Sequence, residues 1–266
     1  MRRFFNVLFP FTLLAVGIAA TGFAAGDAPQ ALPSVAAIHA RFVAALGGRR
    51  SIARPRSMTT RGHYDVVDQR GRFRRISFVR YSAEFKQLEI DTDPVRGTSR
   101  SGYNDGVAWG INPYPQASPQ IGKGDFIKSA RRDADIYYFA HISEYFSAES
   151  VIGVESFAGH TCYHVRGITK WGNENNQYFD TRTGLLVGFA FHQWNASGTG
   201  RETTLTRQVF DDYRDFDGLL ISMRNSTYDG GKLLVREQDT LVLFHAVDDR
   251  IFALPPSVVS ALRTAS

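Results

Sequence analysis

The 266-residue chain contains one cysteine, Cys162. A single thiol closes no internal disulfide, so a chain of this length has to be held together by its own hydrophobic core. Common catalytic signatures are missing as well. There is no G-x-S-x-G elbow, and the strand-to-helix setting that such an elbow needs is foreign to this β-rich chain. The Gly-rich ASGTGRE (196 to 202) lacks the Lys-Ser/Thr pair and following helix of a phosphate loop, and reads as a hairpin link. His39, His63, His141, His192 and His245 form no spaced set of metal ligands. The pairs Asp211-Asp212 and Asp248-Asp249 sit beside turns, where carboxylates cap backbone amides more often than they exchange protons. No catalytic residue, metal or cofactor is called for. Charge of one sign is also scarce: 31 Lys and Arg face 26 Asp and Glu. That excess is too small and too dispersed for a nucleic-acid surface.

Only one long apolar run is present, and it stands at the N-terminus. Arg2 and Arg3 precede FFNVLFPFTLLAVGIAA, and the small-residue segment TGFAAGDA follows, the layout of a cleaved secretory signal peptide. Cleavage is expected between Ala24 and Asp27, giving a leader over 1–26 and an exported domain over 27–266. An uncleaved anchor is the competing reading, since the run approaches spanning length. Asn6, Pro10 and the small residues at its end favour cleavage, and the lack of a nearby cysteine excludes a lipid-modified N-terminus. Basic clusters at 48–56, 70–75 and Arg131-Arg132 read as solvated turns and edge strands, or as a peripheral contact with anionic lipid headgroups.

What the chain has in quantity is aromatic and β-forming residues, with 20 Phe, 11 Tyr and 3 Trp. Residues 32 to 48 place Val35, Ile38, Phe42, Val43 and Leu46 at helical spacing behind Pro33-Ser34, and Gly47-Gly48 closes the pattern. Most of the rest reads as short strands joined by hairpin signals, among them Asp105-Gly106, DTRTG (180 to 184), Asp217-Gly218 and DGG (229 to 231). Eleven or twelve sequential antiparallel strands are too many for a flat sheet, so it should curl strongly or partly close. Residues 122 to 146 carry Phe126, Ile127, Ala130 and Ala134 at near-helical spacing and should form a second helix across one face. Leu185, Val187, Phe189 and Phe191 share one face by alternation, as do Leu219, Ile221 and Met223. The space between such a face and the helices is either a packed core or a cavity for an apolar ligand.

One segment invites a chemical reading. In GHTCYHV (159 to 165), His160, Cys162 and His164 alternate along a strand, which would put all three on one face. A metal site would need ligands from neighbouring strands, and a thiol nucleophile would need a base and an oxyanion hole. A structural strand, with Tyr163 and Val165 on the buried face, is the reading taken. An exported hydrolase or metal enzyme built on the trio, and an envelope scaffold using the sheet edges or a basic face, are its rivals.

Taken in order, the helix ending in ALGG, Asp105-Gly106 with Trp109, the mid-chain helix, the G-x-x-C-Y-x-V strand (159 to 165), YFDTRTGLL (178 to 186) and FALP (252 to 255) resemble bacterial outer-membrane lipoprotein-sorting proteins of the LolA-like superfamily. The resemblance covers nearly the whole exported domain. It implies a mainly β fold, a single curled antiparallel sheet forming an unclosed half-barrel with helices over its concave face. It also implies a periplasmic, non-enzymatic carrier for lipid or lipoprotein acyl chains in outer-membrane biogenesis; the family's partner proteins are not carried over with it, and envelope protein partners stay open. By position, Trp109, Val187, Phe189, Phe191, Ile221 and Met223 are expected to line the cavity, and Phe42 and Phe126 to close it. A register error of one residue would exchange the faces of any of these strands.

Overall fold

The computed structural model describes residues 31–67, 71–113, 118–194 and 203–265. The expected leader, and the Gly-rich segment at 196 to 202, lie outside the described residues.

Among the described residues, thirteen strands form one antiparallel sheet. Six run in sequence as a first meander: β1 Ser57–Val67, β2 Phe73–Ala83, β3 Lys86–Asp93, β4 Gly97–Asn104, β5 Val107–Ile111 and β6 Pro119–Ile121. Seven form a second: β7 Phe146–Phe157, β8 His160–Thr169, β9 Glu174–Asp180, β10 Leu186–Trp194, β11 Thr203–Phe216, β12 Leu219–Asp229 and β13 Lys232–Phe244. The first strand of one meander pairs with the last strand of the other, β1 with β13, so β6 and β7 end up as the two edges. The sheet is not closed. The chain between β6 and β7 therefore has to travel from one edge to the other, and in doing so it covers the concave face.

Local chemistry explains the turns. Asp105-Gly106, Ala158-Gly159, Asp217-Gly218 and Gly230-Gly231 all hold positive φ at both positions, the left-handed pair that a two-residue hairpin matching strand twist requires. In DTRTG, the Asp180 carboxylate instead accepts the backbone N–H groups of Arg182 (2.9 Å) and Thr183 (2.6 Å).

Helix α1, Val35–Ala45, starts where the sequence indicates: the Ser34 hydroxyl accepts the Ala37 N–H at 3.2 Å. It stops at Gly47, whose φ of +107° and close approach to Gly218 leave no room for a side chain. The Leu46 carbonyl then accepts the Leu220 N–H, tying the helix end to β12. Ile38, Phe42, Val43 and Leu46 are buried against Ile142, Phe146, Val165, Phe179, Leu186 and Phe189, which makes this the main core. A short helix α2, Gly48–Ile52, follows directly.

The helix expected over 122–146 is shorter than the pattern suggests. Helix α3 spans Asp125–Asp133, and two 3-10 turns, Tyr138–Ala140 and Ile142–Tyr145, carry the chain to β7. Asp135 is the reason. Its carboxylate accepts the Tyr137 N–H at 2.9 Å and is bound by His141 Nε2 (2.7 Å) and the Tyr145 hydroxyl (2.5 Å), which fixes a turn where a helix would continue. A further helix, α4 Pro256–Ala265, has Pro at its first position and packs Val258 with Leu88, Trp109 and Phe252 in a separate core.

Candidate functional site

A cavity of about 720 Å³ lies on the concave face, between the sheet and the crossover residues 129–139. Its two halves differ in chemistry. One wall is apolar, built by Phe189 and Phe191 of β10, Phe210 of β11, Ile221 and Met223 of β12 and Phe244 of β13. The other is charged, and it comes from strand centres that a purely apolar concave face would not contain. Arg80 of β2, Glu89 of β3, and Glu237 and Asp239 of β13 all face this space.

The charged wall is organised around Arg80. Its Nε donates to Glu89 Oε2 at 2.5 Å, one Nη donates to the Tyr64 hydroxyl at 2.6 Å, and the other lies 2.9 Å from Glu237 Oε1. Tyr64 in turn donates to Glu89 Oε1 at 2.9 Å. Burial would lower the affinity of the guanidinium for its proton, but Glu237 and Glu89 outweigh it and hold its pKa well above the ordinary value. Burial likewise drives the Tyr64 phenol far up, so it stays a donor. Asp239 has no such support. Burial, then repulsion from Glu237, pushes its carboxyl up to about 7, with only partial relief from Arg80. Its Oδ1 has no hydrogen-bond partner among the described residues. Beside the cluster, Asp91 is raised to about 6, by burial first and then by Glu89.

Of the eight positions indicated by the sequence, Phe189, Phe191, Ile221 and Met223 line this one cavity. The other four are elsewhere. Val187 faces the opposite side of the sheet, packed with Phe157, Cys162, Tyr178 and Ala190. The pairing of β10 with β9 skips from Leu186 to Gly188, so Val187 is an extra, bulged residue and the alternation reverses across it. Trp109 is buried in the α4 core. Phe42 is completely buried, its ring 5.5 Å from Phe139 and 5.4 Å from Phe179, and it backs the cavity wall from within the main core. Phe126 is 62% exposed on α3.

The His160, Cys162, His164 trio does lie opposite Val165 and Tyr163, which pack on the main core. That opposite face is not simply an outer one, because Cys162 is completely buried in its own small core. His160 Nδ1 meets Asp180 Oδ2 at 2.8 Å, whereas His164 Nε2 meets Asn176 Oδ1 at 2.7 Å and its ring stacks on Tyr178. Burial, then Asp180, pushes the Cys162 thiol up to about 12, away from a nucleophilic thiolate. Among the described residues, no group of three or more His, Cys, Asp or Glu side chains is placed to hold a metal ion. The basic run at 70–75 is partly neutralised: Arg74 pairs with Asp93 at 3.0 Å and Arg75 with Asp65 at 2.8 Å.

Sequence reasoning passed over Arg80, Glu89, Glu237 and Asp239. One signal was available. The tight turn at Glu84-Phe85 sets a register in which Arg80 stands directly opposite Glu89, an opposite-charge cross-strand pair in mid-strand.

No protein-family model matches the chain, and no curated protein matches its sequence. Its fold has clear counterparts among solved structures. It is similar to a DUF1329 family protein from Desulfovibrio piger, with a TM-score of 0.56 at 13% identity, over 82% of this chain and 97% of that one. A LolA superfamily protein from Nitrosomonas europaea matches with a TM-score of 0.54 at 12% identity, over 84% and 99%. An outer-membrane lipoprotein-sorting protein domain from Vibrio parahaemolyticus matches with a TM-score of 0.53 at 10% identity, over 80% and 97%. The fold is LolA-like.

Proposed function

We propose that the protein is an exported, non-enzymatic carrier that holds a lipid or lipoprotein acyl chain in its concave cavity. The observation that carries this reading is the cavity of about 720 Å³, open between an unclosed sheet and its crossover, with Phe189, Phe191, Phe210, Ile221, Met223 and Phe244 in its lining. A chain laid along that wall gains roughly 25 cal/mol for each Å² of apolar surface withdrawn from water. Such binding needs no cofactor. The N-terminal leader pattern and the LolA-like fold support a periplasmic site of action in outer-membrane biogenesis. Among the described residues no helix is long and apolar enough to cross a membrane.

Mass spectrometry of gently purified protein should reveal co-purifying lipid, and the delipidated protein should take up a lipophilic fluorescent probe in stoichiometric amount. Protein that arrives lipid-free and admits no probe would sink the carrier reading. Cell fractionation with N-terminal sequencing of the mature chain tests the export.

A role with an envelope protein partner is favoured by one further feature. Among the described residues, edge strand β7 has a paired neighbour on one side only, and Ile152 and Val154 on it are about half exposed. Pull-down from envelope extracts, with Ile152→Lys as the comparison, tests that contact.

A further inference from the structure

The cavity's charge runs against that of the chain. The protein carries a formal net charge of +5, yet three arginines and six carboxylate side chains line the cavity. Most of these groups are already matched. Arg80 is shared by Glu89 and Glu237, Arg132 is bound to Asp133, and Asp135 is held by His141 and Tyr145. Arg224 is drawn to Asp211, which is not part of the lining, so it contributes little positive charge to the space. Asp239 is the carboxylate left over, its Oδ1 without a hydrogen-bond partner among the described residues, and it stands two residues from Glu237 on the same face of β13. The neighbouring strand β12 carries the apolar row Ile221 and Met223 along the same cavity.

Resting on the carrier reading, we propose that the ligand is an amphiphile with a cationic head, an amine or quaternary ammonium, seated against Glu237 and Asp239 with its chain along the aromatic wall. A cation placed there supplies the charge that the cluster lacks, in a partly desolvated site where Coulomb attraction is stronger than in water. An anionic head would meet excess carboxylate, and the one arginine within reach is already saturated. The raised pKa of Asp239 is the same deficit seen in the unliganded protein. Glu237 on its own strand, Arg80 on β2 and Glu89 on β3 are the charged groups that act on it.

The test uses the mature, delipidated protein and three amphiphiles with the same twelve-carbon chain, titrated calorimetrically at pH 8 and low salt, below their micellar concentrations. Dodecyltrimethylammonium should bind about tenfold or more tighter than dodecyl maltoside, a difference large enough to read directly, and dodecyl sulfate should bind weakest. The ratio of cationic to neutral affinity should fall toward one in Asp239→Asn and further in Glu237→Gln/Asp239→Asn. It should also fall in the wild type below about pH 6, where Asp239 is protonated while the quaternary head keeps its charge. Circular dichroism establishes that the variants are folded, and if the double variant is not, the single one and the pH series still decide. Equal affinity for the cationic and neutral amphiphiles, or a preference that survives Asp239→Asn and low pH, overturns the cationic head and leaves the carrier standing. Failure of all three to bind removes both.

Discussion

Arg80 on β2 and Glu237 on β13 form an ion pair, Nη to Oε1 at 2.9 Å, although strand β1 lies between them in the sheet. The pair ties the first meander to the second through side chains, in addition to the β1–β13 backbone ladder. It also places a charged group in the floor of a cavity whose other wall is aromatic.

Removing one member of such a cluster strands the others. Arg80→Met leaves Glu89 and Glu237 without their cation, and stability should fall by about 3–5 kcal/mol at pH 8. The loss should shrink toward pH 5, where stranded carboxylates can take up protons. Urea unfolding at the two pH values reads both effects, and equal losses at both would contradict the electrostatic account.

Asp239 has the opposite sign. Its folded pKa of about 7 lies above the unfolded value of 3.8, so the folded state binds the proton more tightly. Its contribution is fully present below the unfolded value and is lost as pH rises through 7. Asp239→Asn should therefore stabilise the protein at pH 8, by roughly 1–3 kcal/mol, and change little at pH 4. A thermal melt series across that range measures the crossover.

Ile221 offers a way to fill the cavity without touching the charges. It is only partly buried and lies on the lining. Ile221→Trp should reduce uptake of a lipophilic probe about tenfold, while the melting temperature stays within a few degrees of wild type. An unchanged probe affinity would place the ligand elsewhere.

Cys162 should be silent in the native state. With the side chain fully buried and the thiol raised to about 12, maleimide labelling at pH 8 should be slow until denaturant is added. Rapid native labelling would show that the small core around Val187 opens readily.

The hairpins were legible because their signals are local. Asp105-Gly106 and Asp217-Gly218 announce positive φ in the sequence itself, and Ser34 and Gly47 mark both ends of α1. Four of the eight expected positions were legible as lining too, since Phe189, Phe191, Ile221 and Met223 keep the parity that alternation assigns them. Val187 was not, because a bulge reverses parity without any mark in composition. Trp109 and Phe126 depended on which helix covers which strand. Helix α3 fell short because Asp135 finds His141 and Tyr145, a contact that helical periodicity does not record.

The sequence by itself determined an antiparallel β protein with a capped amphipathic helix, a single thiol and no common catalytic motif, because propensity, turn chemistry and period are properties of neighbouring residues. The tertiary structure decided which strands became edges, where the crossover left a cavity, and that Arg80, Glu89, Glu237 and Asp239 would meet there. Those four come from strands of different meanders, brought together only when β1 pairs with β13. Register and bulges set that meeting, and they depend on the sum of contacts along the whole sheet.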